Sequence, residues 1–177
     1  MKTAKKITAL LIVLTLLFAL SATAFATNTY TIKFFVNGSE QTTWQLTGTV
    51  GNSVYTTIHN SNLTDVFYDV QDYYNPSVYH KALNSLQGYA TTPGTASDVP
   101  STYTNFTAVP NHPGYFYIGL EDDGYHYIYV GHDWTYCYQG GGNIWDYMDS
   151  CYPTTESVII VTYSLQVSEW WADEPIT

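Results

Sequence analysis

His126 and His132, with Glu121, Asp122 and Asp133 close by in the chain, are of types that could hold an ion, since imidazole and carboxylate suit zinc. A site also needs convergence. Strand alternation puts His126 on a defined face while His132 falls in a turn, so the plainer reading is two polar residues at strand ends. Glu121-Asp122-Asp123 offers enough oxygen to interest calcium, but it lacks the spaced ligand loop of a dedicated site and reads as a solvated hairpin tip. Gly140-Gly141-Gly142 comes without the strand-to-helix setting or the lysine of a phosphate loop, and no Gly-x-Ser-x-Gly, His-Glu-x-x-His or paired-cysteine ligand set is present. The sequence therefore predicts no catalytic residue, no metal site and no cofactor.

Aromatic residues carry more information. The chain has 18 tyrosines and 5 tryptophans. Rings with polar tips bind sugars, corrinoids and other flat ligands, and Tyr138, Trp145 and Tyr147 flank the glycine loop where such rings could stand exposed. With Trp134 they form the candidate ligand-binding set. The same ring types also fill sheet cores and cross-strand pairs, which accounts for most of them.

The elements that must position these rings are strands. Within 114–164, the runs Tyr115 to Leu120, Tyr125 to Val130, Trp134 to Tyr138 and Val158 to Tyr163 are rich in aromatic and β-branched residues, with Asp122-Asp123-Gly124 turning the first into the second. Earlier, Thr29 to Val36 alternates, Asn37-Gly38 signals a hairpin, and Thr42 to Val50 returns as the second strand. Ser53 caps a short helix over Val54 to Asn60, and a short strand fits Val66 to Val70. Pro76 and the stripe Val78, Tyr79, Ala82, Leu83 and Leu86 predict a second helix over Ser77 to Gln87, stopped by Gly88. Residues 89–113, with four prolines, read as a long loop with at most one strand near Tyr103 to Val109. A hairpin followed by a helix across its face suggests an α+β, β-grasp-like fold: a mostly antiparallel sheet with two short helices and an insertion around 61–113.

Lys2, Lys5 and Lys6 precede an apolar run from Ile7 to Leu20 that ends at Ala24-Phe25-Ala26, the pattern of a secretory signal peptide over residues 1–26. Residues 27–177 then make one secreted, extracellular domain, with no membrane attachment expected after cleavage. They carry two lysines, no arginine and all 15 acidic residues, a formal charge of −13 with histidines neutral. That balance repels phosphate backbones and anionic bilayers and excludes nucleic acid as a partner. Cys137 and Cys151 are a candidate disulfide worth about 3 kcal/mol in the chain-entropy view, or else two small buried apolar residues.

Trp134-Thr135-Tyr136, Met148-Asp149-Ser150-Cys151-Tyr152 and Val158 to Tyr163, together with the first hairpin and the helix start at Asn52-Ser53-Val54-Tyr55, resemble the transcobalamin-like C-terminal domain family, found in secreted bacterial proteins. The resemblance implies a β-grasp-like α+β module, and corrinoids as the ligand class of the vertebrate carriers. The expectation is a non-catalytic binding or adhesion module for an extracellular ligand or surface polymer, with a sugar, a corrinoid or a surface protein as partner. A structural component of a surface assembly is the alternative, and a metal-dependent hydrolase at His126 and His132 a weaker one.

Overall fold

The computed structural model describes residues 28–72, 75–141 and 147–176. The predicted signal peptide, apart from what its sequence shows, lies outside them. Eleven strands and one α-helix follow in chain order. Strands β1 (Thr29–Val36), β2 (Ser39–Glu40) and β3 (Leu46–Thr49) precede α1 (Val54–His59). Next come β4 (Asp65–Gln71), β5 (Tyr79–Leu86), β6 (Tyr89–Ala90), β7 (Thr92–Pro93) and β8 (Thr107–Ala108), then β9 (Tyr115–Glu121), β10 (Gly124–Tyr138) and β11 (Val158–Ala172). The main sheet has eight strands in the order β2-β1-β11-β10-β9-β8, with β3 also on β1 and β7 also on β10. A separate sheet runs β4-β5-β6.

This is a mostly β architecture, and it overturns the expected α+β, β-grasp-like fold with two helices. The main sheet is mixed: β1 lies parallel to β11, from Thr31↔Val158 to Val36↔Tyr163, while its other neighbours are antiparallel. The predicted helix over Ser77 to Gln87 is strand β5, paired antiparallel with β4. Its apolar spacing misled for a local reason. The register slips between Val66↔Ser85 and Phe67↔Leu83, leaving Asn84 as an extra residue, and this bulge turns Leu83 and Leu86 to the same buried side although they are three apart. Gln87 (φ 50°) and Gly88 (φ 86°) then form a two-residue turn into β6, where a helix stop had been expected.

Three further boundaries differ. The return strand expected over Thr42 to Val50 is a 3-10 turn at Thr42–Trp44 followed by β3. Gly131-His132-Asp133 does not break the chain, so the runs from Tyr125 and from Trp134 are one 15-residue strand, β10. The segment Gln166–Ala172 continues β11 and pairs with β10 to the end, with Tyr125 opposite Ala172.

Alternation along these strands sorts side chains onto two faces. One face gathers Tyr30, Ile32, Phe34 and Val36 from β1, Ile159, Val161 and Tyr163 from β11, and Trp134 from β10 into the main core. Helix α1 covers this face with Val54 and Ile58, and the small sheet covers it with Leu83 and Leu86. Ser53 caps α1 by accepting from the Thr56 backbone N–H, and the first-turn N–H groups of Val54 and Tyr55 donate to the carbonyls of Cys151 and Met148. The small sheet is tied down by aromatic tips: the Trp134 indole N–H donates to the Tyr89 carbonyl at 3.0 Å and the Tyr163 hydroxyl to the Ala90 carbonyl at 2.8 Å. Further along the ribbon, Phe116, Ile128 and Val130 make a second core beneath Val99, Tyr103 and Phe106 of the long connection.

Cys137 and Cys151 are not joined in a disulfide. Cys137 stands opposite Ile160, on the side of β10 away from Trp134, whereas Cys151 packs within the main core. The sheet separates the two, so the candidate disulfide is not formed.

Tyr30 is 1% exposed, and its hydroxyl reaches the Asn52 and Ser53 carbonyls at 3.1 and 3.0 Å and the Thr57 hydroxyl. Tyr30→Phe leaves those groups short of a donor and is expected to cost about 1–2 kcal/mol, read as a lower denaturant midpoint at unchanged slope.

Candidate functional site

Beyond His132 no described strand pairs with the edge of β10 that faces away from β11, and a cleft opens there of about 310 Å³. β10 supplies Tyr129, Asp133, Trp134, Thr135 and Tyr136, and β11 supplies Gln166 and Ser168. The opposite wall is the small sheet, with Tyr68, Lys81, Ala82 and Leu83, and Tyr147 and Met148 close the end. Five aromatic rings thus surround one carboxylate.

Gly131 shapes the floor. A Cβ there would stand 2.3 Å from the Tyr129 hydroxyl and 3.0 Å from the Thr92 carbonyl oxygen, so only a residue without one lets the Tyr129 ring lie back along its own strand toward Asp133. The Tyr129 hydroxyl donates to Asp133. Burial pushes the Asp133 carboxyl above the usual carboxylate range, and that hydrogen bond pulls it partly back. The Tyr129 phenol is pushed up to about 12, by burial first and then by the Asp133 charge. Tyr68 is raised as well, by burial and then by Asp133. The cleft therefore holds a desolvated acid and phenols that keep their protons, a set of hydrogen-bonding groups framed by ring faces.

The Tyr147 wall is held by His80. The two rings stack at 4.3 Å with planes 8° apart. His80 Nε2 lies 3.2 Å from Asp72, and Nδ1 lies 3.4 Å from Asp149 and 3.3 Å from the Ser150 hydroxyl. The Lys81 backbone N–H also donates to Asp149 at 3.1 Å. Ser150, His80 and Asp72 thus line up as hydroxyl, imidazole and carboxylate. Asp149 shares Nδ1 with the serine, and Ser150 does not line the cleft; the arrangement ties segment 147–150 to β5.

Of the sequence-predicted ligand residues, Trp134 and Tyr147 come together in the cleft. Trp134 is 8% exposed, with its indole nitrogen already engaged. Tyr138 packs against the main core and does not line the cleft, and Trp145 lies outside the described residues. Tyr68, Tyr129 and Tyr136 were missed as site residues, and Asp133 was weighed only beside the histidines; for Tyr129 and Asp133 the signal was there, because they share a face of β10 with Gly131 between them.

His126 and His132 do not converge. His132 stacks on Tyr163 at 5.7 Å. His126, 5% exposed, lies between Glu121 (Nδ1, 2.9 Å) and Glu169 (Nε2, 3.1 Å) and stacks on Trp171 at 4.5 Å. Carboxylates on the two nitrogens sit on opposite sides of an imidazole and cannot share one ion. Among the described residues no group of three or more His, Cys, Asp or Glu is placed to hold a metal. Tyr103 donates to Glu169 and the Trp171 indole N–H to Glu121 at 3.0 Å, so the cluster latches the long connection onto the sheet.

Comparison with protein families, curated proteins and solved structures finds no match.

Because the Asp133 carboxyl is raised in the folded chain, its ionised form costs stability at neutral pH, and that cost disappears as pH falls below the unfolded value of about 3.9. Asp133→Asn, whose amide oxygen still accepts from Tyr129, is expected to be more stable than the parent at pH 7. The difference should close by pH 3; denaturant midpoints at the two pH values check it, and a less stable variant at pH 7 contradicts it.

Proposed function

We propose that the chain is an exported recognition module that binds a neutral, hydroxyl-rich ligand, a sugar unit of an extracellular or surface polymer, in the cleft between β10 and the small sheet. The observation that carries this reading is the ring of Tyr68, Tyr129, Trp134, Tyr136 and Tyr147 around Asp133. Aromatic faces pack on the apolar C–H faces of a sugar, while a buried acid, phenols and the Gln166 amide bond its hydroxyls. The charge of the exported part and its lack of arginine disfavour an anionic ligand. Among the described residues that line the cleft, none is set up as a nucleophile with a free base, which favours binding over turnover.

Titration of residues 27–177 with neutral hexasaccharides, followed by tryptophan fluorescence, tests the reading because Trp134 lines the cleft. Saturable binding is expected, weakened about tenfold in Tyr147→Ala through the loss of one ring contact. A corrinoid titrated in parallel separates the two ligand classes named by the sequence. Absence of saccharide binding, or undiminished binding by a folded Tyr147→Ala, removes this cleft as the site.

A further inference from the structure

The side of the sheet away from the main core carries an unusual row. Polar residues ordinarily occupy the outward positions of a one-sided sheet. Here Tyr115 and Tyr117 of β9, Tyr125, Tyr127 and Tyr129 of β10 and Trp170 of β11 share that face, as their register shows. Their rings touch in sequence; Tyr127, in the middle, is buried at 2% exposed and its hydroxyl accepts from the Ile176 N–H, while the other five are half-buried and offer the accessible ring surface. Tyr129 meets Tyr115 at 5.0 Å, Tyr115 meets Trp170 at 5.2 Å, Trp170 stacks on Tyr127 at 5.8 Å, Tyr127 meets Tyr117 at 5.4 Å, and Tyr117 meets Tyr125 at 6.2 Å.

One end of this row is the cleft itself. Tyr129, Asp133, Gln166 and Ser168 line the cleft, and strand alternation places all four on the same face as the row. The other end is a second hollow of about 320 Å³ beside Tyr117, Tyr125 and Tyr127, bordered by Pro110 and Ile176. From Asp133 to Tyr125 is eight residues of one strand, about 26 Å, several times the width of one sugar ring.

We infer that the ligand is an extended neutral polysaccharide chain, anchored by one unit in the cleft and laid along the tyrosine row toward the second hollow. This rests on the reading of the cleft as a sugar site. Continuity of the face argues for a linear occupant, and the hydroxyl tips together with Asp133, Gln166 and Ser168 argue for one rich in hydroxyl groups. Asp133 in the cleft and the excess of 15 acids over two lysines in residues 27–177, with no arginine, turn away a polyanion.

The test measures affinity for a neutral oligosaccharide series from disaccharide to hexasaccharide, with a polygalacturonate of equal length as the charged comparator. Affinity is expected to climb about twofold to tenfold for each further ring engaged. Trp170→Ala should keep the disaccharide affinity and lose most of the climb. Tyr125→Ala, at the far end of the row, should lose only the last increment, and thermal unfolding of both variants confirms that they are folded. Binding that does not vary with length overturns the extended site and leaves the cleft standing. No binding at any length removes both, and tighter binding of the charged chain overturns the choice of a neutral one.

Discussion

The structure depends on the antiparallel ribbon of β10 and β11, continuous over fourteen residue pairs from Tyr125↔Ala172 to Tyr138↔Ile159. It is longer than either body of packing it supports. At one end β1 adds to β11 and the helix and small sheet close the main core; at the other β9 adds to β10 and the long connection closes the second core. The cleft lies where the ribbon passes from one core to the other, on the stretch of β10 edge that neither set of strands covers. Gly131 sits in that passage, and its missing side chain is what lets Tyr129 reach Asp133.

Charge shapes the same architecture. With two lysines in residues 27–177, both in exposed or half-exposed local pairs with Glu40 and Asp69, contacts between acids and distant elements fall largely to histidines. His80 bridges the small sheet to Asp149, and His126 bridges β9 to β11 through Glu121 and Glu169. Each imidazole is also covered by a stacked ring, Tyr147 in one case and Trp171 in the other. Aromatic density thus serves these histidine–carboxylate contacts as well as the cores, by shielding them from water.

Much of the fold was legible wherever a single rule governed a segment. The alternation of Thr29–Val36, the Asn37-Gly38 turn and the Ser53 cap all stand as read, because each is a local matter of pleat, turn or cap. The small sheet was legible only in β4, where a short strand was expected over Val66 to Val70; a bulge at Asn84 gave β5 the apolar spacing of a helix. The far half of β11 was not legible either: Gln166, Ser168 and Glu169 lower its hydrophobicity, and its strand character comes from fourteen-pair contact with β10. The site was half visible. Trp134 and Tyr147 lie in the part of the chain where rings are dense, whereas Tyr68, on the expected short strand, reaches the cleft only through pairing with β5, which pattern alone assigned as a helix.

The parallel pairing of β1 with β11 has a mechanical consequence. The chain enters β1 at one end of the shared ladder and leaves β11 toward the other, so tension applied across these two strands pulls them past each other along their length. Such loading strains the whole set of slanted parallel hydrogen bonds together, where peeling would break them one by one. A domain wired in this way meets a pull between these two strands as shear along the ladder and not as unzipping from one end.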